Sequence, residues 1–341
     1  MDNTSQTITV ICFSPTHTSR AIAGAVADGM ARTRCGTGAT ASCPSIVRTR
    51  DLTLDRSDEP IILTSGETVV LGAPVYAGRV APEAVRRLKR IQVAAGASIP
   101  AVVTVTYGNR DYEDALVELY DLALSLGLTP FAAGAFIGEH SYSTPAMPIA
   151  EGRPDSMDLA DASIFGGECA RKLESPGAFA PFHIKGNRPY KEPSRPASSP
   201  AAAHPSGSGT AAAPPAHSAV TASSGTPAIP PVHSAVSASS GTPTVSSTHS
   251  AATASPDRPA VPAVPVTADG CPLCGECAAV CPTGAIVLDS GSMKVLTDPS
   301  LCIRCCACVK ACPAGMRTYS TPFAAFLHEH CSARREPETF L

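Results

Sequence analysis

Tryptophan is absent from the 341-residue chain, and aromatic residues make up only 5% of it. Any stacking partner must therefore be tyrosine or phenylalanine. A strong charge imbalance is missing too. The formal net charge of −3 gives no pull toward nucleic acid or an acidic membrane surface. No apolar run reaches the ~18 residues of a membrane span. Met1–Val10 has neither a basic n-region nor an apolar h-region, so no signal peptide is expected. These absences lead to a cytoplasmic reading. There, fourteen cysteines point to metal or redox chemistry rather than disulfide stapling.

The length suits two domains, or one domain with a tail. Composition divides the chain into three stretches. Residues 1–190 alternate apolar runs with amphipathic segments and read as a folded domain. Residues 191–268 are rich in Pro, Ala, Ser, Thr and Gly. They lack the large apolar surface needed to offset ordering entropy and are expected to form a disordered linker. Within it, His217–Val232 returns as His233–Thr248, a repeat too polar for a solenoid. As a coil this linker would span on the order of 50 Å. Residues 269–330 are cysteine-dense and form a second folded module, leaving 331–341 as a tail.

The cysteine spacing in that module is specific. Cys271-Pro-Leu-Cys274-Gly-Glu-Cys277-Ala-Ala-Val-Cys281-Pro282 follows C-x2-C-x2-C-x3-C-P, and Cys302-Ile-Arg-Cys305-Cys306-Ala-Cys308-Val-Lys-Ala-Cys312-Pro313 repeats it. This is the pattern of bacterial two-cluster ferredoxins, in which the fourth cysteine of each run ligates the other cluster. Three closely spaced thiolates wrap one cluster, while the x3 step turns the fourth away. The expected [4Fe–4S] ligands are Cys271, Cys274, Cys277 and Cys312 for one cluster, and Cys302, Cys305, Cys308 and Cys281 for the other. Structural zinc also uses CxxC pairs but gains nothing from so crowded a run. Cys306 is a surplus cysteine, expected as a small buried filler. Ala285–Leu288 and Lys294–Thr297 read as two strands joined by a turn at Asp289–Ser292. With few large apolar residues, the module should depend on its clusters for stability. Cys12, Cys35, Cys43, Cys169 and Cys331 have no ligand spacing, and Cys12 suits a core.

In the first stretch, Thr7–Phe13 is an apolar, β-branched run suited to a buried parallel strand. Ser14-Pro-Thr-His-Thr-Ser19 follows, then a helical pattern over Arg20–Ala31. Hydroxyls and backbone N–H groups at a helix N-terminus suit an anion. The glycine fingerprints of NTPases and of dinucleotide folds are both missing. Ile46–Leu54, Thr68–Gly72, Ala101–Thr106 and Phe131–Ile137 read as further strands. Pro82–Val93, Asp111–Leu126 and Asp158–Leu173 read as helices. Such alternation predicts an α/β doubly wound parallel sheet, with ligands at the C-terminal strand ends.

Ser14-x-Thr16-x-x-Ser19, Gly72-Ala-Pro-Val-Tyr76-Ala-Gly78 and Thr106-Tyr-Gly-Asn-Arg110 resemble the three FMN-binding loops of flavodoxins. Joined to the cysteine module, they make the chain resemble the bacterial fusion family of an N-terminal flavodoxin-like domain and a C-terminal two-cluster ferredoxin, the EFR-type ferredoxins. The stretches Gly138–Tyr142, Gly152–Asp155 and Lys185–Tyr190 carry the same resemblance. It implies that Ser14, Thr16, Thr18 and Ser19 hold an FMN phosphate. Pro74, Tyr76 and Gly78 would flank the flavin ring on one side, and Tyr107, Gly108 and Asn109 on the other. His17 stands where flavodoxins commonly have glycine. His140 is expected near the flavin edge or as a satisfied loop residue, and Arg20 near the phosphate or on a solvated helix face.

The expected function is electron transfer between the two clusters, FMN and an external redox partner protein, by a carrier more than a defined small-molecule enzyme. The alternative is a plain ferredoxin carrier whose flavodoxin-like half is a flavin-free docking module.

Overall fold

A computed structural model describes residues 7–34, 45–192 and 263–341. The repeat-bearing part of the linker, Cys35 and Cys43 lie outside these residues. In chain order the first half comprises β1 (Thr7–Cys12), α1 (Thr18–Arg34), β2 (Ile46–Asp51), β3 (Ile61–Leu63), β4 (Glu67–Tyr76), β5 (Arg79–Val80), α2 (Pro82–Leu88), β6 (Ile91–Val93), β7 (Ile99–Tyr107), α3 (Ala115–Ser125), β8 (Leu128–Ile137) and α4 (Ser156–Leu173). The second half comprises β9 (Val266–Thr267), α5 (Glu276–Ala279), β10 (Ile286–Asp289), β11 (Lys294–Thr297), α6 (Ala307–Lys310), β12 (Arg317–Thr318), α7 (Pro322–His330) and β13 (Glu338–Phe340).

Strands β2, β1, β4, β7 and β8 are mutually parallel and lie in that order. Counted among themselves they run 2-1-3-4-5, the flavodoxin-like doubly wound order. Alternation along β1 explains the two layers. Ile8, Val10 and Cys12 face a core shared with α1 and α4, whereas Ile11 and Phe13 face a core shared with α2 and α3. Helices α1 and α4 approach closely because they meet at glycines. A Cβ on Gly29 would lie 2.0 Å from the Ser163 carbonyl oxygen, and one on Gly166 2.0 Å from that of Val26. Helix α4 starts in a capping box, Asp155 bonding the Asp158 N–H while Asp158 bonds back.

The helix expected over Pro82–Val93 ends early. Pro82 sits at its start, as that residue should, but the helix stops at Leu88. Ile91–Val93 instead pairs in parallel with Ile61–Leu63. Buried Arg90 fixes the exit by donating to the Glu59 carbonyl (2.8 Å) and the Asp55 carboxylate (2.8 Å). Val266–Thr267, inside the segment expected as linker, pairs with Arg317–Thr318 and so belongs to the cysteine module. Residues 331–341, expected as a tail, end in β13. This strand pairs antiparallel with β8, Thr339 opposite Gly134, and covers what would otherwise be an open sheet edge.

No described helix is long and apolar enough to cross a membrane.

Candidate functional site

The two cysteine runs fold alike. Leu273 and Gly275 take left-handed φ of 55° and 88°, and the equivalent Arg304 and Cys306 take 57° and 56°. Left-handed turns point successive backbone N–H groups inward and build an anion-binding concavity. Cys306 thus fills the helix-cap position that glycine fills in the first run. A side chain there costs roughly 1–2 kcal/mol, and its thiol is buried. The short helices α5 and α6 carry the third cysteine of each run, Cys277 and Cys308, and the fourth follows each helix end.

That ending sends the fourth cysteine across the module. A narrow cavity is lined by Cys302, Cys305 and Cys308 of the second run and by Cys281 of the first, with Pro265, Pro282, Ala285 and Ile286 around it. Cys277 and Cys308 pack together with Cys281, Ala285 and Ile286 in the module's small core. Burial pushes the thiols of Cys277, Cys305 and Cys308 up. The Cys312 thiol goes the other way. Burial opposes ionisation, but the backbone N–H groups of Arg317, Met316, Ala314 and Gly315 outweigh it. Among the described residues, no three His, Cys, Asp or Glu side chains converge as a single-ion site. Cys274 is exposed, while Cys281, Cys305 and Cys308 are buried. The first set therefore faces solvent and the second faces inward.

The inward set sits against the sheet's C-terminal edge. Arg56 donates to the carbonyls of Pro282 (3.1 Å) and Cys281 (2.5 Å). Arg87, fully buried on α2, donates to Pro282 (2.6 Å), Thr53 (2.6 Å) and Leu52. Ile303 packs onto the core beneath the sheet. Tyr142 and Tyr319 meet at 5.0 Å between ring centroids, and Lys310 pairs with Glu139 at 2.6 Å. The chain then returns over the same edge. Arg153 donates to the Arg335 carbonyl, and Arg334 pairs with Asp155 at 2.7 Å.

Of the loops that resemble an FMN site, the first suits an anion. His17 adopts φ 66°, keeping the left-handed turn without glycine. Ser14 is buried, and its Oγ accepts the Arg20 N–H (3.0 Å). Ser19 is 1% exposed, and its Oγ has no partner. Thr16 and Thr18 are half-buried beside it, and the first turn of α1 holds no acid. The Arg20 side chain instead reaches Asp51 (3.3 Å) on the exposed face.

The ring-side residues are largely covered by the chain. Tyr107 is 2% exposed and packs into the core, 5.5 Å from Tyr112. Tyr76 is half-buried, and burial beside Cys305 and Cys306 raises its phenol. Pro74 is buried, and Gly78 lies against Glu113. Gly108 abuts His140, whose ring would be 2.3 Å from an added Cβ. Buried Asn109 spends its amide on the carbonyls of Cys331 (2.6 Å) and Ala333 (2.8 Å). The Asn109 amide nitrogen is thus engaged by the chain itself, while the Tyr107 hydroxyl and Asn109 Oδ1 are buried without a partner among the described residues. His140 is a satisfied loop residue: its Nδ1 accepts the Tyr142 N–H (3.0 Å), and burial lowers its pKa to about 4.

Residues 264–313 match the 4Fe-4S dicluster domain family. A stretch of the chain is 44% identical over 57 residues to the "uncharacterized ferredoxin-like protein YdhY" of Escherichia coli K12, covering 16% of this chain and 27% of that protein. The chain thus spans about a quarter of that relative's length. Its first half is similar to the solved structure of a flavodoxin from the domain Archaea, at 12% identity and a TM-score of 0.30, covering 50% of this chain and 99% of that one. A second similar structure is an NAD(P)H:quinone oxidoreductase from Methanothermobacter marburgensis, at 11% identity and a TM-score of 0.30, covering 51% and 99%. The cysteine module thus matches an iron–sulfur dicluster domain, and the strand order of the first half is flavodoxin-like.

Several site residues have no signature in the sequence. Arg56 and Arg87 belong to no motif in the first half, and only the fold brings them to Cys281 and Pro282. Arg317 follows the second motif by five residues, and that proximity to a cysteine run was its one available signal.

Proposed function

We propose that this chain is an electron carrier holding two [4Fe–4S] clusters, and that its flavodoxin-like half is a platform seating the cluster module. Cys271, Cys274, Cys277 and Cys312 hold one cluster. Cys302, Cys305, Cys308 and Cys281 hold the other. The observation that carries this reading is the cavity lined by Cys302, Cys305, Cys306 and Cys308 of the second run and by Cys281, the fourth cysteine of the first. Clusters bound there supply one-electron exchange. The chain's own residues fix the thiolates, direct backbone N–H groups at Cys312, and hold the Cys281–Pro282 peptide through Arg56 and Arg87. The solvent-facing set around Cys274 is the port for an external redox partner protein, and the reducing cytoplasm is the compartment such thiolates require.

A second reading adds FMN and a relay to it. The unpartnered Ser19 hydroxyl in an acid-free helix start favours it, since that loop suits a phosphate. The Asn109 amide nitrogen, spent on the returning segment, opposes it. Iron, acid-labile sulfide and flavin are to be counted on anaerobically purified full-length protein. Roughly eight iron and eight sulfide per chain without flavin match the proposal. One flavin per chain moves the reading to the relay. Zinc in place of iron rejects both.

A further inference from the structure

Arg317 is 2% exposed, yet none of its side-chain partners is a carboxylate. Nη1 donates to Thr267 Oγ1 (2.8 Å), and Nη2 to Thr297 Oγ1 (2.9 Å) and to Cys308 Sγ (3.5 Å). Its Nε has no partner. Guanidinium stays charged in proteins, and a buried charge without a counter-ion is costly. Two threonines orient this one but cannot neutralise it. Of its acceptors, only Cys308 Sγ, a ligand in the cluster reading, could carry a negative charge. Its backbone N–H points at Cys312. One residue therefore touches a cysteine of each ligand set, its side chain at Cys308 and its backbone at Cys312, and its side-chain partners among the described residues include no carboxylate.

We propose that Arg317 is a positioning residue that sets the reduction potential of the clusters, raising it by stabilising the electron-rich reduced state. This rests on the cluster reading above. Reduction places one electron from an external low-potential donor on a cluster, and no proton need move, because Arg317 is charged before and after. The added negative charge appears beside a fixed guanidinium, so the reduced form gains more than the oxidised form. Charge and hydrogen bonds at cluster sulfurs are established levers on potential. The effect is larger at the cluster of Cys308, which receives the direct N–H donation, than at the cluster of Cys277.

The test is an anaerobic redox titration of the full chain with dithionite, read by low-temperature electron paramagnetic resonance after iron has been counted. In Arg317→Gln the reduced-to-oxidised ratio at a fixed potential should fall about tenfold, which is about 59 mV downward for a one-electron couple. Arg317→Lys keeps the charge and should lose less than half of that shift. Unchanged potentials in an iron-replete Arg317→Gln protein would overturn the proposal while leaving the cluster reading intact. Wild-type protein without clusters would remove both. Where Arg317→Gln fails to assemble, Thr267→Val with Thr297→Val provides the reading. Releasing the guanidinium from its seat should lower the potential of the Cys308 cluster, and no shift in that double variant would overturn the proposal.

Discussion

Replacing Arg87 with methionine separates a docked module from a tethered one. Arg87 is fully buried on α2, its guanidinium 5.2 Å above the Phe13 ring. It pairs with Glu83 (2.7 Å) and donates to three carbonyls, of Leu52, Thr53 and Pro282. Methionine keeps the length and fills the space over Phe13, so the change deletes charge and donors more than volume. Each carbonyl left unpaired costs ~1–3 kcal/mol if it stays dry, while removing a buried charge returns some desolvation energy. Breaking one side of a buried pair usually costs ~3–5 kcal/mol, and ~3 kcal/mol is expected here. At ~2–4 °C per kcal/mol for a domain of this size, thermal unfolding should fall by roughly 6–12 °C. Because Pro282 adjoins Cys281, the cluster sharing Cys281 should also be lost to a chelator sooner than the other. The assay is anaerobic thermal unfolding beside the iron-release rate. The control is Arg86→Met on the same helix. Arg86 is half exposed and bonds Glu83 and Asp58 without touching the cysteine module, so its loss should change stability by less than ~0.5 kcal/mol. An Arg87→Met protein indistinguishable from Arg86→Met would refute the reasoning.

Three further outcomes follow from the same contacts. Cys281→Ser should impair the cluster of Cys302, Cys305 and Cys308, and Cys312→Ser the cluster of Cys271, Cys274 and Cys277, each resolved by paramagnetic resonance. Damage confined to the variant's own run would contradict the crossover. His140 has a folded pKa of about 4 against an ordinary 6.5, because burial disfavours its charged form, helped by Lys310 and Arg110. Its contribution is therefore complete above pH 6.5 and is lost as pH falls from there toward 4, where the unfolded chain binds the proton more readily. Unfolding between pH 7.5 and 5 should show that slope in wild type and a shallower one in His140→Gln. Tyr112→Phe removes the hydroxyl donated to Glu338 (2.7 Å), a bond worth ~1.5–3 kcal/mol to a charged acceptor when buried and less here, where Glu338 is partly solvated. Faster hydrogen exchange at Ala133–Ala135, the β13 partners, would register it.

The parallel sheet was legible because four of its five parallel strands are largely apolar, as buried parallel strands need to be, whereas the edge strand Ile46–Asp51 is polar and mostly exposed. Ile8 through Phe13 show both faces of the sheet in a few residues. The end of α2 was not legible. Pro82–Val93 keeps apolar residues at helical spacing, and only the ladder between Ile91 and Ile61, with Arg90 held by Asp55 and Glu59, decides against helix. Nor was β13 legible. Glu338-Thr-Phe340 is too short to show a period, and its pairing with β8 is a contact between distant parts of the chain. The cysteine runs were legible as a local code, since one loop must wrap one cluster. The ring side of the FMN-like loops shows how far a local match reaches. Tyr107 and Asn109 match locally, but Tyr112 and the returning segment at Cys331 and Ala333 engage them from afar. Arginines such as Arg87 and Arg317 carry no spacing, so their roles emerge only with the fold.

Low-temperature paramagnetic resonance of the anaerobic, dithionite-reduced full chain bears most directly on the paired clusters. Roughly two interacting one-electron centres per chain are expected. A silent spectrum from protein whose module holds zinc would contradict the account.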